Sequence, residues 1–155
     1  MKILTVKKQE NKFQVFEKDS LYAEIIFDTN DIDASLVKEK ELWRIERDSN
    51  KNLVLKQSEH VLFSFKFDYT WGGAEIITSG IDTGYDIKGR WFKPGTRLIN
   101  AQDDDLIIAV KKGNGMEVKI LDNDISTAMI LATIYYHVYA SAGKMLSLII
   151  GHGVH

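Results

Sequence analysis

Residues 125–143, ISTAMILATIYYHVYASAG, carry no Asp, Glu, Lys or Arg in a chain that is 27% charged. Wound as a helix, this stretch is apolar or small on every face, and a helix with no polar face must be surrounded on all sides. The surround is either lipid or the rest of the protein. About 19 uncharged residues come near the length a bilayer needs. Ser126, Thr127, Thr133, His137, Ser141 and Gly143 dilute the run, however, and the Leu, Ile, Phe and Val that drive insertion are sparse. We therefore expect a buried helix over 124–143 and no transmembrane span. Asp124 is its expected N-cap, placing a negative charge at the positive end of the helix dipole.

Everything before residue 124 reads as short strands. Val61, Phe63, Phe65, Phe67 and Tyr69 alternate with Leu62, Ser64, Lys66 and Asp68, a period of two that marks a strand with one buried face. Ile81, Thr83, Tyr85 and Ile87 alternate against Asp82, Asp86 and Lys88 in the same way. Further strands are expected over 3–7, 12–18, 21–28, 36–47, 53–56, 74–78, 97–101, 106–111 and 116–121. Acidic or glycine-bearing turns lie between them, among them Lys93-Pro94-Gly95-Thr96. Ten to twelve short strands at this spacing predict an all-β barrel or sandwich. A barrel of that many strands is wide enough to need a filling. The expected fold is thus mainly β: a closed antiparallel barrel of 10–12 strands enclosing one hydrophobic C-terminal α-helix. It is read as a single domain over 1–155, with strands through 121, the central helix and an extension over 144–155. Met145 to Ile150 in that extension is apolar and reads as a continuing helix or a patch for a partner.

The order of elements is similar to that of the tubby C-terminal-like superfamily, which includes tubby proteins, phospholipid scramblases and LURP-one-related proteins. The resemblance rests on Gly84-Tyr85-Asp86-Ile87-Lys88-Gly89-Arg90-Trp91, then Thr96-Arg97-Leu98-Ile99, then Leu106-Ile107-Ile108-Ala109-Val110, then the uncharged helix. It implies a non-enzymatic module, and in tubby-type members basic residues on the barrel hold phosphoinositide headgroups. The alternative fold is the helix-grip type, whose C-terminal helix is amphipathic; no polar face is evident here before Lys144.

There is no Cys, which removes disulfides, thiolate metal sites and cysteine nucleophiles together and suits a reducing compartment. The first residues, MKILTVKKQE, hold too short an apolar run for a signal peptide, so the expected location is cytoplasmic. A net charge of -2 gives no overall drive toward nucleic acid. Gly84 to Gly89 has P-loop spacing, but Arg90-Trp91 follows where Lys-Ser/Thr is required. Asp28-Thr29-Asn30 opens like an EF-hand loop and then places Ile32 at a ligand position. Asp103 to Asp105 reads as a solvated acidic turn, and Asp122 and Asp124 as capping residues, in a segment shorter than the acidic calcium-binding one of scramblases. His137 reads as a neutral core histidine, and His60, His152 and His155 are too dispersed for a metal site. No catalytic set, metal site or cofactor is expected.

The one cluster with a plausible ligand is Lys88, Arg90, Lys93 and Arg97. Lys88 and Arg90 share a strand face, and a hairpin would bring Arg97 beside them. Such cations suit a phosphate or carboxylate, with Trp91 and Phe92 beside them placed to enter a lipid interface. The expected function is a non-enzymatic binding module for an anionic phospholipid headgroup or another acidic ligand. Two alternatives stand beside it. One is an intracellular carrier with a small apolar ligand enclosed near His137 and Tyr139. The other is a structural or protein-interaction domain, in which Asp82 and Asp86 neutralise the cluster.

Overall fold

The structure is a computed structural model and describes residues 1–50, 52–68, 72–90 and 93–141. Tyr69, Trp71, Trp91, Phe92, the end of the expected helix at 142–143 and the extension over 144–155, with His152 and His155, lie outside the described residues.

Twelve strands run as an antiparallel meander. They are β1 (Lys2–Gln9), β2 (Lys12–Glu17), β3 (Ser20–Phe27), β4 (Ala34–Lys38), β5 (Glu41–Arg47) and β6 (Leu53–Gln57), then β7 (His60–Phe67), β8 (Ala74–Thr78), β9 (Ile81–Arg90), β10 (Lys93–Ile99), β11 (Asp105–Lys112) and β12 (Gly115–Ile120). Each pairs with its neighbours in sequence. β12 returns to β1 with Leu4 opposite Val118 and Val6 opposite Met116, so the barrel closes and leaves no edge strand.

Register follows from which side chains must face inward. Ile25, Leu36 and Trp43 lie side by side across β3, β4 and β5. Ile45, Leu55 and Phe63 continue the belt across β5, β6 and β7. Ala74, Ile87, Leu98, Ile107 and Ile120 carry it across β8 to β12. All of these are buried, and each one-residue slip would turn a whole set outward.

Two sequence expectations are corrected here. Residues 36–47 are not one strand: Glu39-Lys40 turns the chain between Lys38 and Glu41, with Glu39 at φ 54°. Lys93-Pro94-Gly95-Thr96 is not the hairpin turn either. Lys93 already pairs with Arg90, and pairing resumes at Thr96 opposite Gly89, so Pro94-Gly95 forms a bulge inside β10. Gly95, at φ 126°, is required there, since a Cβ would meet the Ala109 carbonyl and the Arg90 side chain.

The helix α1 (Thr127–Ser141) threads the barrel. Leu131, Ala132, Ile134, Tyr135 and Tyr139 are fully buried although they point to different sides, and this is possible only for a helix enclosed all round. No helix among the described residues is long and apolar enough to cross a membrane. The helix starts later than expected. Ser126, not Asp124, is the N-cap: its Oγ accepts the Met129 N–H at 3.2 Å and its carbonyl accepts that of Ile130 at 3.1 Å. Asp122 accepts the Asp124 N–H instead, spending the acidic residues on a turn that leads the chain off β12. We call the end of the barrel where α1 begins the upper end and the other the lower end.

Candidate functional site

The interior comes first, because it decides where a ligand can go. In the lower half α1 sets Tyr135, Tyr136 and Tyr139 against the wall. Tyr135 stacks on Phe27 at 5.5 Å and on Tyr139 at 5.7 Å, and Tyr139 stacks on Phe67 at 5.9 Å. The Tyr135 hydroxyl donates to the Ile32 carbonyl at 2.7 Å, and that of Tyr136 accepts the Gly73 N–H at 3.1 Å. Burial pushes the Tyr135 phenol far above its usual range and that of Tyr136 up to about 12, so both stay neutral. The space beside His137 and Tyr139 expected for an enclosed ligand is thus occupied by side chains. What remains there is an open cleft of about 190 Å³ under Phe13, Phe27 and Val138.

His137 shares a hydrogen bond of 2.7 Å with Thr96 Oγ1 through Nδ1, while Nε2 lies 3.5 Å from Ser141 Oγ. Burial lowers its pKa. A hydroxyl on an imidazole is the geometry of a nucleophile and its base. Here Thr96 is 5% exposed, and the far nitrogen faces a hydroxyl rather than a carboxylate.

The four basic residues singled out above come together, but not as one free cluster. β9 and β10 place Arg97 opposite Lys88 and Lys93 opposite Arg90. Arg97 is already committed. Its NH2 group lies 3.0 Å from Asp103 Oδ1, and Nε forms an ion pair with Asp105 at 2.8 Å without hydrogen-bond alignment. The acidic turn over 103–105 is thus tied down from within, with Asn100 donating to Asp104 at 3.1 Å. Lys88 lies 3.9 Å from Asp86, whose pKa is raised by burial and pulled back by Lys88. Asp82, expected as a second partner, accepts the Gly84 N–H instead. Arg90 donates to the Pro94 carbonyl at 3.3 Å, and among the described residues neither Arg90 nor Lys93 has a carboxylate partner. Asp28, the start of the EF-hand-like run, is bound bidentately by Arg44 at 2.8 and 3.0 Å, which holds its carboxyl below the usual range.

Closure of the sheet adds cations that sequence proximity did not connect with these. In barrel order β9, β10, β11, β12 and β1 are neighbours, so Arg90 and Lys93 share the lower rim with Lys111 and Lys112 of β11 and Lys7 and Lys8 of β1. Lys112 pairs with Glu117 at 3.0 Å, and Lys7 and Lys8 lie over the rings of Phe16 and Phe13. The result is a basic arc along the rim from β9 to β1, drawn from four of five neighbouring strands, on a molecule whose overall charge is slightly negative.

The upper end differs in kind. Its hairpin turns set Leu21, Leu42, Val61 and Ile81 on the rim, just past Asp19, Lys40, Glu59 and Gly80. Leu121, Ile3 and Met1 complete the ring, and at 40–72% exposure these are the large apolar side chains most open to solvent among the described residues. Within the ring lies an open cavity of about 400 Å³ bounded by Trp43, Phe63, Ile76, Tyr85 and Met129, with Glu41 among its lining. An irregularity in β9 borders it. Pairing with β8 passes from Glu75 opposite Asp86 to Ile77 opposite Asp82, leaving Thr83, Gly84 and Tyr85 as surplus wall. Thr83 Oγ1 stabilises the bulge by donating to the Ile76 carbonyl at 2.9 Å.

Comparison with protein-family models, with characterised proteins and with solved structures gives no match to this chain.

Proposed function

We propose that this chain is a non-enzymatic binding module that reads an anionic surface, in the first place phospholipid headgroups, with the lower rim of its barrel. The observation that carries this reading is the basic arc of Arg90, Lys93, Lys111, Lys7 and Lys8 on neighbouring strand ends, flanked by Lys112, which Glu117 holds at 3.0 Å. The arc is spread along a rim rather than folded into a pocket, which suits an extended charged surface better than one small anion. Cytoplasmic leaflets present such surfaces, and each lysine or arginine near one contributes about 1 kcal/mol. Arg97 is excluded from the site because its charge is spent on Asp103 and Asp105, and Lys88 is reduced to a flanking role by Asp86. The interior beside His137 and Tyr139 is filled by side chains, which leaves the enclosed-carrier alternative less room than the rim reading.

Co-sedimentation with phosphatidylcholine vesicles, with and without phosphatidylserine, tests the reading at low salt. Binding is expected only to the anionic vesicles, falling as salt rises. Lys93→Glu/Lys111→Glu should weaken it at least tenfold, whereas Arg97→Ala should leave it within about twofold of the parent. Equal binding to both vesicle types, or loss with Arg97→Ala alone, would count against it.

A further inference from the structure

We propose that the upper end of the barrel is a docking surface for a cationic polypeptide segment that carries apolar side chains, one of which anchors in the cavity beside Trp43 and Met129. The inference is independent of the lower rim. It starts from exposure: Leu21, Leu42, Val61 and Ile81 each follow a tight turn on the same rim, so four of the five hairpins at this end present one exposed apolar residue. Apolar side chains gathered at one end, around a recess, mark an interaction site rather than scattered surface. The recess of about 400 Å³ falls within the range of ligand pockets, and its walls are mainly apolar and aromatic.

Charge selects the occupant. Asp19, Glu39, Glu41, Glu59, Asp82 and Asp124 stand on or beside this rim, against Lys2, Lys18, Lys38 and Lys40, which leaves it acidic. Such a rim is repelled by an anionic bilayer. A second copy docking upper end to upper end would set these carboxylates against one another. A second copy docking by its lower rim would bring cations, but among the described residues that rim exposes no large apolar side chain to meet the ring. A basic segment with an apolar face satisfies both requirements, and complementary charge would also speed its approach.

The test is fluorescence anisotropy with a dye-labelled amphipathic peptide of Lys and Leu carrying one Phe. Two comparison peptides are a Lys-only chain and a Glu/Leu chain of the same pattern. The Lys/Leu peptide should bind saturably at one per barrel, and both others at least tenfold more weakly. Leu42→Ser/Ile81→Ser and, separately, Thr78→Trp at the cavity mouth should each weaken it at least tenfold without lowering Tm. Lys93→Glu/Lys111→Glu at the far end should not weaken it. Equal affinity for the Glu/Leu peptide, or full binding by Leu42→Ser/Ile81→Ser, overturns the proposal. So does a concentration-dependent dimer, or binding to anionic vesicles, that disappears in Leu42→Ser/Ile81→Ser, since either would assign the ring to another occupant.

Discussion

Thr96 and His137 hold each other in the buried interior, and burial makes the imidazole a poor base. This has a thermodynamic consequence. In the unfolded chain His137 takes a proton near its ordinary value of 6.5; in the native barrel it does so only at lower pH. Below that ordinary value the unfolded state binds more protons, so the native state loses stability as pH falls toward the folded pKa, and regains it as pH rises. The double variant Thr96→Val/His137→Phe removes the titrating group together with its partner, leaving no unpaired hydroxyl in the core. Between about pH 7.5 and 5.5, the range where histidine ordinarily titrates, the parent should lose more Tm than this variant. Parallel Tm profiles for the two proteins would mean that His137 is not titrating against folding. Arg97 illustrates what a local reading of charge leaves out. Its type and its spacing from Lys88 mark it as a candidate anion ligand, but its partners, Asp103 in the loop beyond β10 and Asp105 at the start of β11, are brought round by the hairpin.

At the level of elements, α1 was the most legible part of the chain. A run with no polar face has few places to go, and the absence of charge from 125 to 143 could be read without any knowledge of the strands. Its start was less legible, because Asp122, Asp124 and Ser126 are all good capping residues. The structure uses Asp122 for the turn and Ser126 for the helix. Ser126→Ala should therefore cost about 1 kcal/mol in urea denaturation, and Asp124→Ala less than half of that. The reverse order would restore Asp124 as the cap. Hairpins were harder to place. Glu10, Lys18, Glu39 and Ser58 all turn the chain at φ between 54° and 58°, a conformation usually given to Gly or Asn. Nothing in Lys38-Glu39-Lys40-Glu41 announces a turn, so β4 and β5 read as one strand. Pro94-Gly95 announces one that the chain uses as a bulge.

For the whole molecule, closure was expected from the number of strands and is found, but which residues it brings together was not legible. The lower basic arc exists because β12 pairs with β1, a contact between opposite ends of the barrel sequence, and no local pattern joins Lys7 and Lys8 to Lys93 and Lys111. The apolar ring at the upper end likewise needs the hairpins stacked around a common axis before Leu42 and Ile81 become part of one surface. A barrel plugged by its own helix has a core where an open barrel would have a lumen, and this leaves its two ends and outer wall for recognition. The ends differ chemically, one carrying a basic arc from β9 to β1 and the other acidic and apolar. The central claim is that an anionic surface meets the lower rim and never the interior. Amide shifts measured by NMR on adding phosphatidylserine-containing bicelles test it most directly. The account predicts salt-sensitive shifts at Lys8, Lys93, Lys111 and Lys112, with Leu131 and Ile134 of α1 and Leu42 of the upper rim unchanged. Shifts running along α1, or confined to the upper rim, would contradict it.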